Sequence, residues 1–196
     1  MEFKSPGSNS VPIHLAIGSF DPLSAEGPIA LPSELTLVGY PEGMAGYYIV
    51  QFKGPILEKW KKAVLGAGAR IFGYIPKFAF VVKMDDRTRE TVSAMNPIRW
   101  IGIYQPAYRI APGLWPTNSV NSDLPVEVIV SIFEGEDVAG LASEMRRLGG
   151  EIVQVSETGE RLRLRISLER IPALSRLTGV KWIERMPEIK ILPSIQ

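Results

Sequence analysis

The sequence predicts an α+β protein built from two tandem copies of one β-α-β-β-α-β module, each a four-stranded antiparallel sheet with two helices on one face. Three observations carry this expectation. Apolar positions recur at an offset of about 80 residues. Each copy switches between strand-like period two and helix-like spacing in the same order. Turn-forming residues concentrate outside the copies.

Residues 1–46 hold six Pro, six Gly and six Ser, so they read as an irregular arm with short extended pieces at Ile13 to Ile17 and Leu35 to Val38. Tyr48-Ile49-Val50-Gln51-Phe52 is β-branched and aromatic and starts the first module as a strand. Ile56, Trp60, Ala63 and Val64 then recur at helical spacing until Gly66 and Gly68 stop them. Ala69 to Ile75 and Phe78 to Met84 read as two strands joined by Pro76-Lys77, Asp85-Asp86 starts a helix through Val92 and Met95, and Ile98 to Ile103 is the fourth strand.

The pattern returns after a connector rich in Pro, Asn and Ser. Ile49, Val50 and Phe52 match Ile129, Val130 and Ile132; Phe80, Val82 and Met84 match Leu162, Leu164 and Ile166. Ile98-Arg99-Trp100-Ile101 matches Val180-Lys181-Trp182-Ile183, and Pro106 to Ile110 matches Pro187 to Ile191. The expected organisation is therefore an arm at 1–46, a first module at 47–110, a linker at 111–125, a second module at 126–191 and a tail at 192–196. With the split β-α-β order, each module is expected to be a ferredoxin-like sandwich.

Alternation assigns the faces. An arginine row cannot be buried unpaired, so Arg161, Arg163 and Arg165 face outward and Leu162, Leu164 and Ile166 face the helices. By the repeat, Phe80, Val82 and Met84 face the first core and leave Ala79, Val81 and Lys83 on an open face. Modules of about 65 residues are marginally stable alone, so each is expected to lean on a partner.

Several chemistries drop out. With no cysteine and one histidine, disulfides, thiolate nucleophiles and Cys/His metal sites are excluded. A hydrolytic triad would need His14, which lies in the arm with no Gly-x-Ser-x-Gly elbow anywhere. Asp85-Asp86 and Glu134-Gly135-Glu136-Asp137 lack calcium-loop spacing and read as charges at helix N-termini. Gly66-Ala67-Gly68-Ala69 follows a helix instead of opening one, so it ends that helix and does not cradle a dinucleotide. No catalytic residue, metal or cofactor is expected. No apolar run approaches the roughly 18 residues of a membrane helix, and no membrane partner is expected. Net charge is +1, but residues 47–110 carry 11 basic and 4 acidic side chains; a solvated basic face is the plain reading of that excess, and steering of an acidic partner the alternative.

Tyr47-Tyr48-Ile49-Val50-Gln51-Phe52-Lys53, Gly68-Ala69-Arg70-Ile71, Phe78-Ala79-Phe80-Val81-Val82 and Asn96-Pro97-Ile98-Arg99-Trp100-Ile101 resemble the propeptides of subtilisin-like serine proteases. Gly18-Ser19-Phe20-Asp21-Pro22-Leu23 also looks like the flank that precedes such modules in larger bacterial subtilases. The resemblance covers residues 18–110 directly and 126–191 through the repeat. It implies a ferredoxin-like fold and a secreted, non-catalytic chain that acts as folding template and temporary inhibitor of a protease catalytic domain, in cis or in trans. The implied protease-binding face is Ala79, Val81 and Lys83 in one module and Arg161, Arg163 and Arg165 in the other. By position, Leu192, Pro193, Ser194, Ile195 and Gln196 are the tail that enters the cleft. The first module has Gly102 and Tyr104 where an acidic partner-binding residue is usual, and Glu184 and Glu188 restore acids in the second.

Two other readings compete. An RNA-recognition module shares the element order, and Lys77-Phe78-Ala79-Phe80-Val81 approaches its third-strand signature. That reading requires Phe78 and Phe80 on the open face, against the repeat, so no nucleic-acid partner is expected. The other is a structural pair of ferredoxin-like modules in a larger exported protein.

Overall fold

A computed structural model describes residues 10–115 and 124–187, and the chain divides into two compact units, Met1–Tyr108 and Arg109–Gln196. Each unit contains a four-stranded antiparallel sheet with two α-helices.

In the first unit, β1 (Ile13–Leu15) and β2 (Gly18–Phe20) form a hairpin. The sheet follows with β3 (Gly46–Phe52), α1 (Glu58–Gly66), β4 (Arg70–Ile75), β5 (Ala79–Met84), α2 (Asp86–Ser93) and β6 (Ile98–Ile103). The strand order is β4-β5-β3-β6, all pairs antiparallel. Asp85 ends β5's run and caps α2 by accepting from the Thr88 amide at 2.8 Å, which satisfies one of the orphan donors of the first turn. One core cluster joins Tyr48, Val50 and Phe52 of β3, Val82 and Met84 of β5, Val64 of α1 and Val92 of α2. Both helices therefore cover the same face.

Phe80 packs on that cluster as expected, and so does Phe78. Phe78 is not on the strand: Lys77 and Phe78 both have positive φ in the turn between β4 and β5. That conformation is costly for bulky residues. Hydrogen bonds to their carbonyls from the Phe52 amide (2.8 Å) and the Gln51 side chain (3.2 Å) hold it. The two aromatics that base stacking would need are thus on the helix side.

The second unit has β7 (Pro125–Ile132), α3 (Val138–Arg147), β8 (Glu151–Val155), β9 (Arg161–Ser167), α4 (Ile171–Ser175) and β10 (Val180–Arg185), in strand order β10-β7-β9-β8. This is the first unit's order, element for element. Asp137 caps α3 by accepting from the Gly140 amide at 3.0 Å. Val128, Val130, Ile132, Leu162, Leu164 and Ile166 are buried together with Met145 of α3 and Leu174 of α4. The aliphatic row of β9 faces inward, as alternation requires.

Two boundaries differ from expectation. The first module was expected to run to Ile110, but Ile110 makes a parallel bridge to Ile183, and buried Arg109 donates to the carbonyls of Ser175, Leu177 and Thr178 at the end of α4. Residues 109–114 belong to the second unit because a helix C-terminus leaves carbonyls that a guanidinium satisfies. The arm was expected to be irregular and separate; it packs on the first sheet instead.

Candidate functional site

The face of each sheet turned away from its helices is where the two copies part. In the first unit all seven residues of β3 are buried, which a sheet with one open face does not allow. The register places Tyr47 opposite Lys83, Ile49 opposite Val81 and Gln51 opposite Ala79, and all but Lys83 are buried. What covers them is the arm. Ile13, Phe20 and Leu35 are buried, and the Phe20 ring meets Trp100 edge-on at 6.1 Å and Tyr108 stacked at 6.2 Å.

A closed polar network fastens the arm. Arg99 donates to Asp21 at 2.7 Å and to the Gln51 side-chain oxygen at 2.8 Å. Gln51 in turn donates to the Val11 carbonyl at 2.9 Å, and the Val11 amide donates to Asp21 at 2.9 Å. Burial pushes the Asp21 carboxyl up, but the Arg99 hydrogen bond and the amides of Leu23 and Val11 outweigh it and hold the carboxyl at about 2. Leu37 and Gln105 exchange a further pair of hydrogen bonds at 2.7 and 3.1 Å.

The expectation of an open face at Ala79, Val81 and Lys83 is therefore corrected. Ala79 and Val81 are buried on the face where the arm packs, and side chains this small let another segment approach the strand closely. Lys83 stands over the Tyr47 ring at 5.4 Å. Val81→Arg is expected to expel the arm. Gly102 serves the same packing: a Cβ there would sit 2.2 Å from the Trp100 indole, the ring on which Phe20 rests. Gly102→Ala is expected to displace that indole and cost about 1–3 kcal/mol, read as a lower urea midpoint at unchanged slope; an unchanged midpoint would contradict this packing.

In the second unit the equivalent face, among the described residues, is half-exposed, with Arg161 and Arg165 exposed and burial alternating along β9. Arg165, Glu127 and the backbone of Met186 form one cross-strand row; Arg163, Ile129 and Glu184 form the next; Arg161 and Ser131 with Trp182 form the third. Glu127 sits between two cations, accepting from Arg163 Nε at 2.8 Å and from Arg165 at 2.9 Å, while Arg165 also reaches Glu151 at 3.2 Å. Hydrogen bonds from Arg163 and Arg165 hold the Glu127 carboxyl below the ordinary carboxylate range, and Glu127 raises Arg165. Trp182 donates to Glu184 at 3.4 Å. Exposed Arg161 stands at a shallow pocket of about 170 Å³ walled by Ile129, Gln154, Arg163 and Met186.

The structure thus brings Arg161, Arg163, Arg165 and Glu184 onto one face. Glu188, Leu192, Pro193, Ser194, Ile195 and Gln196 lie outside the described residues. The sequence reading missed Glu127, Ile129 and Trp182 on this face, although period two along β7 and the repeat of Trp100 at Trp182 carry the signal. It also passed over Arg99 and Gln51, whose role depends on a segment far away in sequence. His14, set aside as a catalyst, pairs with the Ser19 hydroxyl at 2.7 Å on the exposed side of the hairpin. Among the described residues no cluster of His, Cys, Asp or Glu could hold a metal ion, and no helix is long and apolar enough to cross a membrane.

A domain family described as Domain of unknown function (DUF8729) matches residues 14–105, a span that takes in the arm and the first sheet together. No curated protein matches the chain. Among solved structures, the small subunit of acetolactate synthase from Thermotoga maritima is similar at 16% identity and a TM-score of 0.24, over 72% of this chain and 92% of that one.

Proposed function

We propose that this is a non-catalytic protein-binding chain of two ferredoxin-like modules, and that it serves a secreted subtilisin-like serine protease as folding template and temporary inhibitor. One observation carries the docking assignment: of two equivalent sheet faces, the first is buried with the chain's own arm packed on it, and the second, among the described residues, presents exposed Arg161 and Arg165. The second module is the one that meets the protease, through Arg161, Arg163, Arg165 and Glu184. The protease itself is assigned by the motifs from Tyr47 to Lys53 and from Phe78 to Val82, which resemble those of subtilase propeptides. The arm replaces, for the first module, the support that a protease surface gives a single-module propeptide.

The test is titration of the chain into a subtilisin-like protease while peptide hydrolysis is followed. Inhibition that fades as the chain is digested is expected, and Arg163→Ala should weaken it without lowering the thermal midpoint of the first unit. Undiminished hydrolysis at micromolar chain would overturn the protease assignment.

A further inference from the structure

Each sheet ends on the same side in the equivalent strand, and the second unit shows what that edge can hold. β6 and β10 are end strands, next to β3 and β7, and the repeat sets Ile101 against Ile183. In the second unit Ile110 bridges Ile183 in parallel, and the Ala111 amide donates to the Ile183 carbonyl at 2.9 Å. An extended piece of chain has added itself to the edge there, the geometry by which sheets also take up peptides.

In the first unit the equivalent groups are presented to a cavity. The Tyr104 amide donates to the Tyr47 carbonyl at 2.9 Å, so Tyr104, Gly102 and Trp100 turn their backbone groups to β3. Antiparallel alternation then turns those of Ile101 and Ile103 away from β3. Among the described residues β6 pairs with β3 alone. Ile101 and Ile103 wall an open cavity of about 580 Å³ together with Glu42 of the arm and Asp86, Arg89 and Glu90 of α2, which is within the size range of ligand sites.

Charge selects the occupant. Three carboxylates and one guanidinium line this cavity, in a module that otherwise carries a basic excess. Asp86 lies 3.5 Å from Arg89, whereas the side chains of Glu42 and Glu90 are exposed and have no partner among the described residues. Ile101 and Ile103 pack on the core beneath the helices, so a strand added beside them points every second side chain to the helix side, where α2 carries its acids.

We infer that the β6 edge binds an extended segment of a protein partner as an added strand, with a Lys or Arg side chain of that segment meeting the carboxylates of Glu42 and Glu90. The site lies within the first unit and does not depend on the protease contact proposed for the second.

The probe is a labelled peptide, acetylated and amidated, of sequence Thr-Val-Thr-Arg-Thr-Val-Thr, titrated with the whole chain by fluorescence anisotropy beside a counterpart with Gln in place of Arg. The basic peptide is expected to bind, its counterpart to bind about tenfold or more weakly, and added salt to reduce the difference. The double variant Glu42→Gln/Glu90→Gln is expected to lose about tenfold in affinity for the basic peptide and to bind the Gln peptide unchanged; both residues are exposed, so their replacement leaves the fold intact. An added strand uses every second amide for pairing, so N-methylation of one alternate set of peptide amides should abolish binding and methylation of the other set should spare it. Equal binding of the Arg and Gln peptides, no binding at ~1 mM, wild-type binding by the double variant, or two methylated peptides that behave alike would overturn the inference. Failure of the protease titration would leave it standing, and its own failure would leave the protease proposal standing.

Discussion

Arg99→Met should destabilise the first unit by about 3–5 kcal/mol, because it strands a carboxylate that water hardly reaches. The side chains of Arg99 and Asp21 are 12% and 9% exposed, and removing the guanidinium also leaves the Gln51 oxygen without its 2.8 Å donor. The double replacement Asp21→Asn/Arg99→Met should cost less than the sum of its parts, since neither charge is then left alone. Denaturant unfolding of the three variants measures this, and a strictly additive cycle would show that the pair does not couple arm to sheet.

The same pair sets an acid limit. Asp21 titrates at about 2 in the folded chain against an ordinary 3.8, so the folded state binds its proton more weakly than the unfolded state does. The stabilisation, about 2 kcal/mol, is full above pH 4 and is lost as pH falls toward 2. In Asp21→Asn that acid-dependent loss should disappear, leaving a flatter stability profile between pH 4 and about 2; an unchanged profile would place the titrating group elsewhere.

Phe52→Ala should cost the first unit about 3–5 kcal/mol, the range for removing a large buried ring. Phe52 is fully buried, stacks on Trp60 of α1 at 6.1 Å and 3°, and meets Phe80 edge-on at 6.3 Å. Its removal opens a cavity at the point where helix and sheet meet, and rings that pack against one another do not easily collapse into such a space. Against a typical domain stability of 5–15 kcal/mol, the variant is expected to melt far below the parent by circular dichroism. A near-neutral result would remove Phe52 from the core and reopen the assignment of the two faces.

Much of this molecule is legible residue by residue. Period two along Arg161 to Ile166 assigns the buried row of β9, and the same reading of Glu127 between Val126 and Val128 would have placed it beside the arginines. Asp85 and Asp137 announce their helices because a side-chain acceptor at that position satisfies amides that have no other partner. The repeat then places the second sheet once the first is known. The flank Gly18 to Leu23 was visible as a motif, but its role was not, since Asp21 acts on a residue 78 positions later.

The sequence by itself determined the elements, their order and the face that each sheet turns to its helices, because those depend on periodicity and on neighbours a few residues apart. Only the tertiary structure decided that the remaining face of the first sheet is covered. Ala79 and Val81 satisfy the same alternation whether water or another segment lies over them, and small neutral side chains tolerate both. The choice rests on contacts between Phe20-Asp21 and Arg99-Trp100, which local pattern does not encode, and on the arginines at the equivalent positions of the second sheet, which keep an apolar hairpin from settling there.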